Sequence, residues 1–176
     1  MKPIRLGKIA GLLITAYRSA FYGFALLWLV AIIAVIFLLG VPFGEAMIGS
    51  FILILLHYGS ELWHQLGHAW AANRVGYPMI GVRYWWILGQ SNYPNNEPEL
   101  PGSTHIRRAL GGPAASFLLT FVAFILTIVV GRLPGYTLLL WVLPLITLDN
   151  LFVFTVGAFL PLGFTDGSTI LRWWGK

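Results

Sequence analysis

The sequence predicts an all-α polytopic membrane protein with four transmembrane helices and a short interfacial β segment between the second and third helices. Three observations predict this class: 58% of the 176 residues are hydrophobic, only 10% are charged, and the apolar residues form four long runs. Soluble domains are about a quarter charged, so the composition excludes an ordinary soluble enzyme. Because the sequence contains no Cys, disulfides and thiolate metal sites are excluded as well.

The four apolar runs define a membrane domain over residues 20–162. A helix needs about 20 apolar residues to cross a bilayer. We expect spans at about 20–40, 46–73, 109–131 and 136–162. An N-terminal cytoplasmic segment, 1–19, precedes this domain, and a C-terminal cytoplasmic segment, 163–176, carries an Asp-Gly motif. Between spans two and three, residues 77–87 are rich in β-branched and aromatic residues, which predicts one or two short strands at the interface.

The basic residues are distributed unevenly around these spans. Of the eleven Lys and Arg residues, only Arg132 falls between spans three and four; the others precede span one, lie between spans two and three, or follow span four. The positive-inside rule then places both termini and the long loop in the cytoplasm. We expect an integral protein of a bacterial-type inner or plasma membrane. Because topology explains the basic excess, we expect the membrane, and no nucleic acid, as its partner.

Span two carries four ionisable residues on one face. His57, Glu61, His64 and His68 are separated by 4, 3 and 4 positions, so they fall in one stripe at about 3.6 residues per turn. Ionisable residues inside a span are costly and usually mark a functional site. The alternative is a hydrogen-bonded polar seam that only fixes helix packing.

The segment His64-Gln65-Leu66-Gly67-His68 differs by one letter from H-E-x-x-H. In that motif the two His residues bind Zn²⁺ from one helix face, and the Glu acts as general base. Zinc needs a third protein ligand. Asp166 is the candidate, because the distribution of basic residues places it and the end of span two toward the same membrane face. An amide has no useful basicity near neutral pH, so Gln65 cannot serve as the base.

These motifs resemble those of the site-2 protease family, which are intramembrane zinc metalloproteases. The resemblance covers about residues 53–171. It rests on the segment from His64 to His68, on Gly111-Gly112-Pro113, and on the segment from Leu160 to Gly167. It implies a core of three helices, Zn²⁺ as cofactor with His64, His68 and Asp166 as its ligands, and a transmembrane protein or peptide as substrate. It also implies that the strands after the first core helix hold an extended substrate by β-addition.

The chain departs from the family's pattern at three positions. Gln65 occupies the position of the catalytic Glu, Ala158 that of an expected Asn, and Thr165 that of the usual Leu before Asp166. Gln65 has three explanations: natural loss of activity, an engineered trap, or replacement of the base by another residue. We rank natural divergence first, because the missing Asn has no obvious engineering motive. Glu61 is the possible substitute base; otherwise we expect it to orient a His ligand or to act as a fourth ligand.

The sequence therefore predicts a site-2-protease-like zinc metalloprotease homologue. It would hydrolyse membrane-spanning segments or, with Gln65 in place of Glu, be inactive or weak and only bind them. Two alternatives stay open. One is a non-catalytic pseudoprotease that binds a membrane partner, and the other is a structural membrane protein without metal.

Overall fold

The computed structural model describes residues 2–135 and 137–176. Within them, the prediction of four helices long and apolar enough to cross a membrane is confirmed. The first three are α1 (Arg18–Leu39), α2 (Phe43–Arg74) and α3 (Gly102–Val130). The fourth begins as α4 (Thr137–Asp149) and continues through a π-helical segment (Asn150–Val156) and a 3₁₀ turn (Gly157–Phe159). A short helix, α5 (Asp166–Trp173), follows.

The first three helices begin before the predicted spans, at residues 18, 43 and 102 rather than at about 20, 46 and 109. Helix α3 begins at Gly102, earlier than the predicted 109, because the polar residues before the apolar run continue the same helix. The fourth span was predicted to begin at residue 136, which lies outside the described residues.

A small mixed sheet corrects the all-α prediction. Its strands are β1 (Ile4–Ile9), β2 (Leu12–Ala16), β3 (Gly81–Trp85) and β4 (Leu88–Asn92). Their order is β1-β2-β3-β4. The outer pairs are antiparallel, whereas β2 and β3 are parallel. Strand β3 confirms the β segment predicted within residues 77–87, and β4 lies directly after it. Strands β1 and β2 form a hairpin in a segment for which no strand was predicted.

The N-terminal hairpin covers the end of α2. Its turn residues Ala10 and Gly11 both have positive φ, 50° and 82°, as the tight type I′ turn of a hairpin requires. The buried side chains of β2 form one core cluster with α2 and β3; its members include Leu12, Ile14, Ala69, Ala72 and Val82. Burial of this cluster places the sheet beside the half of α2 that carries the two His residues of the motif.

Helix α2 is the central helix of the bundle. It buries the whole predicted stripe of His57, Glu61, His64 and His68. Helix α1, by contrast, buries only three small or β-branched residues and exposes apolar side chains over the rest of its surface. Such a surface suits contact with lipid.

Polar contacts inside the membrane region hold the fourth helix against α2. His57 Nδ1 lies 3.0 Å from a carboxylate oxygen of Asp149. The fully buried Asn150 donates to Ser60 Oγ at 2.9 Å. Because both residues on the fourth helix lie where the π-helical segment begins, the local change in helix winding coincides with its polar attachment to α2.

Candidate metal centre

His64 and His68 direct the same ring nitrogen toward one point. One turn apart on α2, they bring their Nε2 atoms to 3.0 Å, with the rings nearly perpendicular at 81°. Both residues are buried, with exposed fractions of 6% and 5%. Two neutral imidazoles arranged in this way can present two lone pairs to a shared cation.

The contacts of the two Nδ1 atoms determine which tautomer each imidazole adopts. His68 Nδ1 lies 2.8 Å from the carbonyl oxygen of Arg108. A carbonyl oxygen can only accept, so Nδ1 carries the proton and Nε2 is the free acceptor. The Gly112 amide lies farther away, 3.2 Å from the same nitrogen, so the carbonyl contact decides the tautomer. His64 Nδ1 is paired with Ser116 Oγ at 2.9 Å, whose hydroxyl can accept the corresponding proton.

Asp166 completes the group from the start of α5. Its two carboxylate oxygens lie 3.2 Å from His64 Nε2 and 3.3 Å from His68 Nε2. One ligand atom from each of the three residues lies within 4.8 Å of the others. The preceding residue, Thr165, shapes the turn into α5: its hydroxyl accepts from the Leu162 amide at 3.3 Å and contacts Ser168 Oγ. The structure therefore brings together all three residues predicted as zinc ligands.

Glycines allow the helices to approach this group closely. A Cβ on Gly112 of α3 would overlap with Nε2 of both His64 and His68. A Cβ on Gly67 or on Gly111 would meet the backbone of the facing helix. The Gly111-Gly112-Pro113 segment thus leaves free the space at which the two imidazole lone pairs are directed.

The donor set fits Zn²⁺. Structural and catalytic zinc sites use imidazole nitrogen and carboxylate oxygen, and ligating His residues commonly donate their other ring N–H to a carbonyl or hydroxyl. Here two imidazoles with paired Nδ1 atoms and one carboxylate share a buried space that a Cβ on Gly112 would fill. His64, His68 and Asp166 are the residues that would hold the metal.

Gln65 belongs to a separate hydrogen-bonded cluster beside this group. Its Nε2 donates to Glu61 Oε1 at 2.9 Å and to the Gly89 carbonyl at 3.1 Å. Its Oε1 accepts from Ser91 Oγ at 2.6 Å. The Gly89 amide donates to the same Glu61 oxygen at 3.0 Å. Glu61 and Gln65 therefore connect α2 to strand β4.

Sequence reasoning left Glu61 open as a substitute base, a residue that orients a His ligand or a fourth ligand, and it did not identify the partners of the imidazoles. The ring nitrogens that Glu61 was expected to steer are paired instead with Ser116 and the Arg108 carbonyl. Among the described residues, Glu61 also lies outside the His64, His68 and Asp166 group. The Gly-Gly-Pro segment signals that α3 passes close to α2, but no sequence pattern identifies which carbonyl and which hydroxyl meet the rings.

Arg108 fixes the loop before α3 to the same region. Its guanidinium is buried, forms an ion pair with Glu97, and donates to the Tyr77 carbonyl at 2.6 Å. It also lies 4.0 Å from the ring centroid of Tyr93. Burial raises the pKa of the Tyr93 phenol, and the nearby guanidinium opposes that rise. The residue whose carbonyl orients His68 is thereby held in place through its side chain.

A cavity of about 910 Å³ borders the three candidate ligands. Its walls include β4, α5 and the end of the fourth helix. Ala158, at the position of the expected Asn, is one of the lining residues. The cavity volume is within the usual range of about 300–1,000 Å³ for ligand sites, so the candidate metal group faces a space that can admit a ligand.

Comparison with known proteins identifies a similar architecture. The chain is similar to the solved structure of the site-2 protease from Methanocaldococcus jannaschii, with a TM-score of 0.65 and 26% sequence identity. The similarity covers 97% of this chain and 70% of that protein. A scan of protein-family models finds no match, and a search of curated proteins finds none. The chain therefore has a site-2-protease-like fold.

Proposed function

We propose that this protein is a membrane-embedded zinc protein of the site-2 protease type, which binds an extended segment of a membrane-spanning protein and hydrolyses it slowly or not at all. The observation that carries the proposal is the convergence of His64 Nε2, His68 Nε2 and the Asp166 carboxylate beside a cavity. The similarity of the fold to a site-2 protease supports it.

In this chain, residues suited to binding a metal and a peptide are present, whereas the position of the general base carries Gln65. Zn²⁺ at this site would polarise a peptide carbonyl and make water more acidic. The usual base position is occupied by Gln65, whose Nε2 has two acceptors and whose Oε1 already accepts from Ser91. A positioned general base contributes about 10²–10⁴-fold to a rate. We therefore expect peptide binding to persist and turnover to be weak.

Strand β4 is the candidate docking edge for the peptide. It is the last strand of the sheet, and its residues Leu88 to Ser91 line the cavity. An edge strand offers unpaired backbone groups to an added strand, and this mode of peptide recognition supplies main-chain hydrogen bonds. The candidate metal group and the candidate peptide edge thus border one cavity.

Metal analysis of the purified protein tests the proposal. We expect about one zinc per chain, from one site of three ligands. His68→Ala and Asp166→Ala should each remove stoichiometric zinc. His105→Ala is the matched control: this His is outside the ligand group and stacks on Trp173 at 4.2 Å, so zinc content should not change.

Two outcomes would contradict the proposal. Unchanged zinc in the His64→Ala/His68→Ala double variant would leave only a structural polar seam. Rapid cleavage of a membrane peptide by the unmodified protein, abolished by His68→Ala, would show that turnover does not need a base at position 65. If Glu61→Gln also abolished that cleavage, Glu61 would be the base.

A further inference from the structure

The outward-facing backbone groups of one β4 residue are already paired with side chains of α2. Tyr84 lies opposite Gly89 in the β3–β4 ladder, and the Tyr84 carbonyl accepts from the Tyr17 amide at 2.9 Å on the β2 side. Residues of an antiparallel ladder alternate in the direction of their backbone groups. The N–H and C=O of Gly89 therefore face the free edge, where they meet Glu61 and Gln65.

The two side chains reproduce the contacts of a paired strand. In an antiparallel sheet, a residue at a hydrogen-bonded position both donates to and accepts from one partner residue. Gly89 donates its N–H to Glu61 Oε1 at 3.0 Å and accepts from Gln65 Nε2 at 3.1 Å. The bond from Gln65 Nε2 to Glu61 Oε1, at 2.9 Å, joins the two side chains into one unit. We call this unit of Glu61, Gln65 and Gly89 the edge clamp.

We propose that the edge clamp occupies the peptide-pairing position of Gly89, so that an incoming strand must displace Glu61 and Gln65 to pair along the whole edge of β4. This inference rests on the proposed function, because it concerns the peptide edge of the same cavity. In this proposal, the Gln65 amide competes with the substrate backbone for the Gly89 carbonyl. Glu61 acts as a positioning residue that fixes the amide.

The shape of the site supports this role. A Cβ on Gly89 would overlap with the Glu61 carboxylate, so only glycine at this position leaves room for the clamp. Glu61 and Gln65 are each 4% exposed. An opened clamp therefore needs another source of donors and acceptors for these largely buried side chains. A peptide backbone supplies one N–H and one C=O at the required spacing.

Peptide affinity provides the first test. The probe is a fluorescent single-span peptide with an extended end of Thr, Val and Gly, mixed with the zinc-loaded protein in lipid vesicles. Gln65→Ala removes the donor to the Gly89 carbonyl and should raise affinity by about fivefold or more, the order of one hydrogen bond. Asn73→Ala is the matched control, because it removes an exposed amide from the same helix and should leave the affinity unchanged.

Amide hydrogen exchange tests the clamp without any peptide. Glu61→Ala should accelerate exchange of the Gly89 amide by about tenfold, since the acceptor of its hydrogen bond is lost. Glu61→Gln keeps an acceptor oxygen and should retain slow exchange, which separates loss of the contact from misfolding. The Gln90 amide faces β3 by the same alternation and serves as an internal reference.

The outcomes separate this inference from the proposed function. Tighter peptide binding by Gln65→Ala together with faster Gly89 exchange in Glu61→Ala supports the clamp. Peptide binding that Gln65→Ala leaves unchanged or weakens would overturn the clamp but not the proposed function. Unchanged exchange of Gly89 in Glu61→Ala would overturn it as well. If no variant bound the probe, both the competition and the proposed peptide binding would be contradicted.

Discussion

The orientation of the Gln65 amide follows from what its neighbours can accept or donate. The Gly89 carbonyl only accepts, and the Glu61 oxygen already accepts from the Gly89 amide, so the amide nitrogen must face both. The Ser91 hydroxyl then donates to the amide oxygen. A carboxylate in this place would meet two acceptors with no proton to offer. These surroundings suit Gln.

Gln65→Glu therefore should not produce a fast protease. The new carboxylate would lie beside that of Glu61 and lose both bonds from Nε2, so we expect the variant to be less stable by about 1–3 kcal/mol at neutral pH. Ala158 still lines the cavity where the family's pattern has Asn, so cleavage should remain slow. Thermal unfolding and cleavage of a single-span peptide measure the two effects.

Gln65→Met is the neutral control for that variant, because it removes the same bonds without adding charge. It should destabilise the protein less than Gln65→Glu does. Fast, zinc-dependent cleavage by Gln65→Glu would contradict the prediction and identify position 65 as the sole defect.

At the scale of helices, glycine determines how close α2 and α3 lie. Gly112→Ala would drive a Cβ into both imidazoles, and overpacking typically costs about 1–3 kcal/mol. We expect lower stability by that amount together with loss of zinc from the purified protein. Gly59→Ala, in α2 with open space at its Cβ, should keep zinc and gain stability through higher helix propensity. Retention of zinc by Gly112→Ala would show that the imidazoles do not share a metal at this point.

The sequence predicts the helices well because their signal is local. Apolar runs and the spacing of His64 and His68 are visible in a short window. Asp166, the predicted third ligand, lies 3.2 Å and 3.3 Å from their Nε2 atoms. The ladder of β2 and β3 has no local signal, since Leu13 pairs with Gly81 across two helices. The turn of the β1–β2 hairpin uses Ala10-Gly11 rather than the usual Asn-Gly.

The difference between local and long-range contacts also explains which contacts of the candidate site sequence reasoning missed. The role of Glu61 depends on Gly89, and the orientation of His68 depends on the Arg108 carbonyl. Both contacts join residues far apart in the chain through backbone atoms, which are the same in every residue type. Side-chain patterns can therefore nominate metal ligands but cannot identify these backbone partners.

At the scale of the whole molecule, the parallel pairing of β2 with β3 constrains the topology. Strand β2 directly precedes α1 and β3 follows α2, and the two strands share a sheet. Strands that pair must lie on the same side of the membrane, so α1 and α2 cross in opposite directions. This requirement agrees with the topology predicted from the basic residues and does not depend on charge.

Cysteine labelling tests the predicted orientation. The chain has no Cys, so a single Cys introduced at residue 2, 95, 132 or 176 gives a unique site. Of these four positions, an impermeant reagent added from outside should label 132 alone, because the positive-inside rule places both termini and the loop between spans two and three inside. Labelling of position 95 from outside would reverse the predicted orientation.

The sheet and the candidate ligand group also impose an order on biosynthesis. During translation the β1–β2 hairpin is made first, yet its neighbour β3 emerges only after both α1 and α2 have been synthesised. Asp166 follows the fourth helix, so the nascent chain holds two imidazoles long before it holds the carboxylate. Under the proposed zinc binding, tight metal loading would wait for the last helix to insert. The folded bundle would thus acquire its ion as the final step of assembly, after every membrane crossing is in place.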